Sequence, residues 1–437
     1  MFRRFLLCGC FLALGSFPAR AQEPSQRVQE VQQQAHVQAA AGDWAAAIAS
    51  YDEALRISPR SVATEIGLAQ AYRGVHNYDE AKRVLERARA EHPQSEKPLA
   101  ALGDLEIELQ TYDAAIAHLR GALLIAPSDV ESRNRLAVAY QAKGDSEKAL
   151  EQVAKVLARD PKSALAYYTR AKIYSDRNED AAALPDATKV VELQPHNPRG
   201  RLLLGKILLR VPQGESPEQT KERCKRAIAT LEPLLQMSAE DSETLFLLSR
   251  AYECAGASEQ AQKMLTAFEA SSKNDRETKE NQTQAKHLVQ QANELALKND
   301  FAGSLDLLQQ AIAKDATDGA AYSQLAKLYY SAGDIEKASE AISQALERDA
   351  YQPDFLYVQG KISEKQGKLE EALGAFQRTT IVNPKESDAF FEMGVIYEQR
   401  GDRERALAAY KKAAALSPED PDYQRALAAL SGGSARR

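Results

Sequence analysis

The feature that most constrains this 437-residue chain is a proline that recurs every 34 residues. Five prolines keep this step without interruption, and two more keep it near the C-terminal end: Pro59, Pro93, Pro127, Pro161 and Pro195, then Pro384 and Pro418. A fixed period of this length is typical of repeat architectures, in which each unit packs against its neighbours. The period therefore favours a long, ridged surface over a single catalytic pocket.

Small residues follow the same period. An alanine stands twelve residues before the proline position in many units: Ala47, Ala81, Ala115, Ala149, Ala183, Ala227, Ala261, Ala338, Ala372 and Ala406. Within residues 130–163, apolar side chains mark one helical face before Gly144 and a second face after Asp145. Pro161 then ends the unit, because proline cannot continue a helix. Each unit is therefore predicted to be two helices, with small residues where their backbones approach closely.

This pattern resembles the tetratricopeptide repeat (TPR) family. It is clearest in the last unit, at Met393, Gly394, Tyr397, Gly401, Asp402, Ala406, Tyr410, Ala413 and Pro418. The phase gives eleven units over most of the chain. The resemblance implies an all-α fold, a right-handed superhelical solenoid of antiparallel helix pairs. One further amphipathic helix at the C-terminus is expected to cap the last exposed face.

Interruptions of the period divide the chain into parts. Residues 22–270 are predicted to form a TPR block of seven units, and residues 285–420 a block of four. Unit six needs extra residues that include two prolines and a glycine, which predict a loop at about 211–220. The polar stretch 271–284 has no repeat phase and is interpreted as a flexible or helical joint. Residues 421–430 are assigned to the capping helix and residues 431–437 to a disordered tail.

The first 21 residues have the pattern of a signal peptide. Arg3 and Arg4 precede a short apolar run, which ends before Ala19-Arg20-Ala21, a small-x-small cleavage site. We predict cleavage after Ala21 and export to the periplasm or the exterior. The alternative is a lipoprotein modified at Cys10, which is less favoured because most of the apolar run follows this cysteine instead of preceding it.

Charge argues against a nucleic-acid partner. The chain has a formal net charge of −6, and removal of residues 1–21 takes away three arginines and no acidic residue, giving −9. Affinity for nucleic acid depends on basic surface, which an acidic exported chain lacks. After residue 21, no stretch of the sequence is long and apolar enough to suggest a membrane span.

Two cysteines, Cys224 and Cys254, remain after residue 21. The TPR resemblance places them near the facing ends of adjacent antiparallel helices in units six and seven. It therefore implies a disulfide bond, which an oxidising compartment would maintain. Two separate thiols, one of them buried, are the alternative.

The motifs of common catalytic and metal sites are missing from the sequence. The six histidines fall in separate units, and no cysteine pair has the spacing of a metal site. There is no glycine-rich phosphate loop and no Gly-x-Ser-x-Gly nucleophile elbow. We therefore predict a protein that is not an enzyme, with no cofactor and no metal ion.

The TPR resemblance also implies a ligand-binding groove. In that family the first helices of successive units line the concave side, and positions 2, 5, 9 and 12 of each unit face it, which is one helical face. Position 9 carries a cation in five of six consecutive central units, beside aromatic residues at positions 5 and 12. The candidate groove residues are Tyr168, Lys172, Lys206, Phe246, Arg250, Lys327, Tyr330, Tyr357 and Lys361. The alternative is that these cations are solvated or pair with carboxylates such as Asp176 and Glu253, and that the rings pack on the neighbouring helix.

A row of cations beside aromatic rings suits an extended ligand with anionic groups, such as an acidic peptide segment or an acidic polysaccharide. We therefore expect a non-enzymatic protein–protein interaction scaffold in the bacterial envelope, which binds an extended partner segment in its groove. The alternative is an accessory subunit of polysaccharide export or secretion machinery that holds an anionic polymer.

Overall fold

The computed structural model describes residues 24–210 and 214–432. The predicted signal peptide lies outside the described residues, as do 211–213 of the predicted loop and the last five residues of the predicted tail. Over the described ranges the chain is helical and contains no strand. The helices are α1 Pro24–Ala40, α2 Trp44–Ile57, α3 Val62–Gly74, α4 Tyr78–Glu91, α5 Lys97–Glu108, α6 Tyr112–Ile125, α7 Val130–Lys143, α8 Ser146–Arg159, α9 Ala164–Asp176, α10 Asp180–Leu193, α11 Pro198–Leu209, α12 Pro217–Leu235, α13 Ser242–Cys254, α14 Ser258–Leu297, α15 Phe301–Lys314, α16 Gly319–Ala332, α17 Ile335–Arg348, α18 Pro353–Lys365, α19 Leu369–Val382, α20 Ser387–Gln399, α21 Arg403–Leu416 and α22 Pro421–Gly432.

Consecutive helices pack in antiparallel pairs, and each pair packs on the next. Unit one is α1 and α2, and the count continues in pairs to unit six, α11 and α12. The first part of α14 completes unit seven, and its last part begins unit eight. Units nine to eleven are α16 to α21, and α22 covers the open end. The predicted all-α solenoid of eleven helix pairs with a capping helix is therefore confirmed.

A residue in the left-handed conformation turns the chain between the two helices of ten units. These residues have positive φ: Gly42, His76, Gln110, Gly144, Asn178, Gly256, Asn299, Gly333, Gly367 and Gly401. In several units the next residue is an aspartate or asparagine that caps the second helix. The Asp43 side chain, for example, accepts a hydrogen bond from the Ala46 N–H. The hairpin of each unit thus depends on this turn as much as on the proline that ends the unit.

Small residues make room for large ones where the two helices of a unit cross. A Cβ added to Gly394 of α20 would lie 2.5 Å from the ring of Tyr410 in α21, which is almost wholly buried. A Cβ added to Gly360 would meet Phe376 at 2.4 Å in the same way. At these two crossings the large ring therefore fills the space that the glycine leaves.

We expect Gly394→Ala to destabilise the protein by roughly 1–3 kcal/mol, because the new methyl group overlaps the Tyr410 ring. Gly374→Ala is the matched control, since no described atom lies within 4 Å of its Cβ position. In α19 that change should raise stability by about 0.5–1 kcal/mol. Urea denaturation followed by circular dichroism measures both variants, and equal stabilities would contradict the packing argument.

Unit six differs from the prediction at its loop. Helix α12 begins at Pro217, so residues 217–220, which the sequence assigned to the loop, form the first turn of a helix. The reason is a capping box: the Ser216 hydroxyl accepts from the Gln219 N–H, and the Gln219 side chain accepts from the Ser216 N–H. Pro217 stands at the first helical position, where proline is favoured because no N–H partner is needed there.

The stretch interpreted as a joint, residues 271–284, lies inside the 40-residue helix α14. The stretch contains neither glycine nor proline, so nothing in it ends a helix. Its central residues, 273–280, are all exposed. The joint was expected to be flexible or helical, and the structure shows that it is helical. A single helix, α14, therefore runs from unit seven into unit eight.

At the C-terminal end, α22 covers the apolar face of the last pair. Tyr423 is buried against Ala413 and Ala414 of α21, and Leu427 packs beside it. The helix continues to Gly432, so the first two residues of the predicted tail, Ser431 and Gly432, belong to the helix.

Units one and two of the solenoid meet units nine and ten, which precede its last unit. Tyr351, in the turn after unit nine, reaches the turn inside unit one: its hydroxyl donates to the Gly42 carbonyl at 2.5 Å and accepts from the Trp44 N–H at 2.9 Å. One unit further along on each side, the Asn77 side chain donates to the Val382 carbonyl at 2.6 Å. These bonds join opposite edges of the repeat ribbon, so the ribbon closes on itself after about nine units.

The closing contact also buries apolar surface. Val382, 5% exposed, belongs to the same apolar cluster as the first units, and Tyr351 and Ile381 pack against that cluster. A cavity of about 330 Å³ remains beside the contact. It is lined by residues from both sides of the contact, such as His76 of unit two and Pro384 after α19. We call this set of contacts the ring closure.

Candidate ligand-binding groove

The first helices carry the candidate groove residues on one face, as the repeat phase requires. Lys172 lies on α9, Lys206 on α11 and Arg250 on α13, while Lys327 and Lys361 lie on α16 and α18. We call the surface formed by positions 2, 5, 9 and 12 of these helices the groove. The charges on the groove determine which class of ligand it can bind.

Each of the four lysines is paired with a carboxylate. Lys172 pairs with Asp176 on its own helix at 3.1 Å. Lys206 pairs with Glu243 at 2.5 Å and Lys327 with Asp354 at 2.7 Å, and both of these acids stand at position 2 of the following unit. The groove is therefore a row of alternating charges, and the carboxylates partly neutralise the lysines that the sequence suggested for an anionic ligand.

Lys361 is the most enclosed of the four lysines. Its ammonium contacts Glu364 at 2.7 Å and Glu392 at 2.8 Å. Burial works to lower the pKa of Lys361, but the hydrogen bonds to the two glutamates outweigh it and the pKa is raised. This lysine is held as a structural link between units ten and eleven.

Arg250 is the exception among the five groove cations. It makes no ion pair with any residue in the described ranges, and its guanidinium carbon lies 5.9 Å from the centre of the Phe246 ring. Phe246 is 40% exposed, although it is one of the largest apolar side chains in the protein. Its ring centre lies 5.2 Å from that of Phe268 on α14. Unit seven thus presents two aromatic rings and an available cation at one place, which we call the Phe246 patch.

The other predicted aromatic residues are less accessible. Tyr168, Tyr330 and Tyr357 are all half-buried. The Tyr357 ring packs on Phe376, and its hydroxyl donates to Glu392 at 3.4 Å. Burial raises the pKa of the Tyr357 hydroxyl well above its usual value. For Tyr357, packing on the neighbouring helix is what the structure shows.

Sequence reasoning missed the residues that complete the groove. Phe268 lies on a second helix, outside the four positions considered. The acids Glu243 and Asp354 could have been found, because position 9 of one unit lies beside position 2 of the next. Of the carboxylates named in the alternative, Asp176 pairs with Lys172, whereas Glu253 forms no ion pair within the described ranges; the partner of Lys206 is Glu243.

Comparison with known families agrees with the geometry. A model described as tetratricopeptide repeat matches residues 38–105, 106–173 and 295–362, and a second tetratricopeptide repeat model matches residues 357–421. The protein belongs to the TPR family. Between residues 173 and 295, where neither model matches, this TPR protein has the loop of unit six, most of the long helix α14 and a disulfide bond between Cys224 and Cys254, the pair predicted from the sequence.

Curated relatives match one part of the chain. DnaJ homolog subfamily C member 3 of Bos taurus is 37% identical over 91 residues, which is 21% of this chain and 18% of that protein. The Homo sapiens protein of the same name is 36% identical over 91 residues, with the same shares. The TPR protein therefore spans less than a fifth of the length of the relatives that it matches.

Two solved structures are similar at low identity. The crystal structure of MamA protein is 20% identical, with a TM-score of 0.32, over 35% of this chain and 83% of that chain. The crystal structure of the APC/C hetero-tetramer Cut9–Hcn1 is 12% identical, with a TM-score of 0.32, over 93% of this chain and 98% of that chain. Within the described ranges, no helix has both the length and the apolar character that crossing a membrane requires.

Proposed function

We propose that this TPR protein is a non-enzymatic scaffold of the bacterial envelope that binds an extended peptide segment of a partner at the Phe246 patch. The observation that carries the proposal is the coincidence of an exposed phenylalanine, a second aromatic ring and a cation that pairs with no carboxylate in the described part of the chain. Aromatic and arginine side chains dominate the energy of peptide interfaces. The patch fits an apolar side chain followed by a carboxylate.

Two features support the export of the protein. The first 21 residues have the pattern of a signal peptide. The disulfide between Cys224 and Cys254 is of a kind that persists in oxidising compartments.

The charge arrangement favours a peptide over an anionic polymer. A polysaccharide that follows the groove would meet Lys172, Lys206, Lys327 and Lys361, each of which already has a carboxylate beside it. A polyanion would have to displace these carboxylates and leave them facing its own charge. A peptide with both charges and apolar side chains meets no such conflict.

We expect Phe246→Ala combined with Arg250→Glu to weaken partner binding by at least about tenfold, because the change removes the ring and reverses the available charge. The measurement begins with crosslinking of the chain from residue 22 to envelope extract, and the crosslinked partner segment is then synthesised and titrated by fluorescence anisotropy. Phe301→Ala combined with Lys298→Glu is the matched control, since it removes an exposed ring at the start of α15 and reverses an exposed cation in the turn before it. A soluble acidic polysaccharide is titrated in parallel.

Equal peptide affinity for the two double variants would overturn the assignment of the patch. Binding of the polysaccharide, with no protein partner captured, would instead support the polymer-holding alternative. Circular dichroism of each variant establishes that the helices are retained.

A further inference from the structure

Unit two contains a buried carboxylate that the groove does not use. Glu65 lies in the first turn of α3, and its side chain is 0% exposed. The corresponding position of most other units holds a large apolar side chain, a tyrosine or an arginine, such as Leu99, Tyr167 or Arg133. A carboxylate enclosed in this way needs compensating partners.

Within the described residues, only one of the two carboxylate oxygens of Glu65 accepts a hydrogen bond. Arg87 on α4 donates its Nε–H to Oε1 at 3.2 Å. The other oxygen, Oε2, is buried without a hydrogen bond from any described residue. His92 Nε2, also buried and without a hydrogen bond in the described part of the chain, lies 3.5 Å from Oε2. Two ligand atoms that form an ion pair at 3.5 Å, but no hydrogen bond within the described residues, therefore face each other inside unit two.

A third ligand atom completes the cluster. Glu91 is the last residue of α4 and His92 is its C-terminal cap, so both project from the end of that helix. One oxygen of Glu91, one oxygen of Glu65 and one ring nitrogen of His92 lie within 4.8 Å of one another. Glu91 is exposed, which leaves the cluster open to solvent on one side.

We propose that Glu65, Glu91 and His92 form a binding site for a divalent transition-metal ion, with zinc as the best fit. Zinc binds histidine nitrogen and carboxylate oxygen at about 2.0–2.2 Å, and the corners of such a tetrahedron lie about 3.4 Å apart. The 3.5 Å between His92 Nε2 and Glu65 Oε2 is already that spacing. Glu91 closes the third corner by a change of rotamer, and water occupies the fourth.

The charges fit a divalent ion. Two carboxylates balance its charge, and Arg87 holds Oε1 of Glu65, so that Glu65 binds through Oε2 alone. The ion would tie the start of α3 to the end of α4 and to the chain that enters unit three. Because binding to the folded state alone stabilises that state, the ion would stabilise unit two. The site is separate from the groove, so the metal-site proposal does not depend on the proposed scaffold function.

The test uses the chain from residue 22 without an affinity tag, treated with a chelator and then dialysed. Zinc sulfate alone is titrated by calorimetry, and cobalt(II) is added in a second experiment because tetrahedral cobalt absorbs visible light. We expect one ion per chain, an upward shift of the thermal midpoint, and a loss of at least about tenfold in zinc affinity for Glu91→Gln and for His92→Gln. Glu65→Gln tests the buried ligand of the site in the same titration.

His196→Gln is the matched control, because His196 is an exposed histidine near the end of unit five. It should keep the zinc affinity of the parent protein. Glu91 is exposed, so Glu91→Gln keeps the test valid even where a change at Glu65 disturbs folding. The absence of stoichiometric zinc binding, or equal zinc affinity in the parent, Glu91→Gln and His92→Gln proteins, would overturn the proposal.

Discussion

Replacement of both Cys224 and Cys254 by alanine is expected to lower the free energy of unfolding by about 3–4 kcal/mol. The bond closes a segment of 30 residues, and closing a segment of that length removes chain entropy from the unfolded state. It also links α12 to α13 at the least regular part of the array. In a solenoid each unit is stabilised by its neighbours, so a weakened link between units six and seven lowers the cooperativity of unfolding between the two parts of the array.

Urea denaturation followed by circular dichroism measures the loss. We expect one cooperative transition in the oxidised protein and a broader or double transition in the variant. The parent protein treated with a reductant is the control, because it breaks the same bond and leaves the buried Cys224 side chain in place. Two free thiols per chain in the denatured, unreduced protein would show that the bond is not formed and would remove the basis of this prediction.

The helix pairs were predictable because the repeat signal is local. The proline that ends a unit, the small residue at the helix crossing and the turn residue before the cap all act within 34 residues. The errors have local causes as well. The loop of unit six was predicted too long because two prolines indicated irregular chain, whereas Pro217 occupies the helix position where proline is favoured.

The groove was predicted less completely, because its properties depend on neighbouring units. Lys206 and Lys327 are cations in the sequence, but their carboxylate partners come from the next unit and change what the surface can bind. Glu65 and His92 are 27 positions apart, and no short motif joins them. Only the packing of α3 on α4 brings the two side chains together.

The ring closure could not be predicted from any single unit. It depends on the rotation between successive pairs, which adds up over nine units. Its hydrogen bonds use groups that helix ends and turns leave free. Val382 is the last residue of α19, so its carbonyl has no partner within the helix. Asn77 caps α4 with its side-chain oxygen, which leaves its side-chain nitrogen to donate to Val382.

Tyr351→Ala combined with Asn77→Asp, which keeps the oxygen that caps α4 but removes the donor to Val382, is expected to open the ring closure and to expand the protein. The double change removes the hydrogen bonds to Gly42, Trp44 and Val382, each worth about 0.5–1.5 kcal/mol, together with part of the apolar contact. A loss of about 3 kcal/mol shifts the balance between closed and open forms by roughly a hundredfold. Small-angle X-ray scattering should show a larger radius of gyration, with no change in helix content.

The chain carries its own reporter of this opening. Trp44 is its only tryptophan, it is half-buried beside Gly74, and its backbone N–H is bonded to Tyr351. Opening should therefore move the emission of Trp44 to longer wavelength.

Tyr167→Ala is the matched control for the double variant. The Tyr167 hydroxyl also donates to a backbone carbonyl, that of Pro161, but it lies in unit five, away from the ring closure. If the radius of gyration and the emission of the double variant equal those of the control, the contact between units one and two and units nine and ten does not form in solution. If both change, the variant has opened, and we then expect a partner segment to associate faster with the double variant than with the parent protein, because opening exposes the inner side of the solenoid.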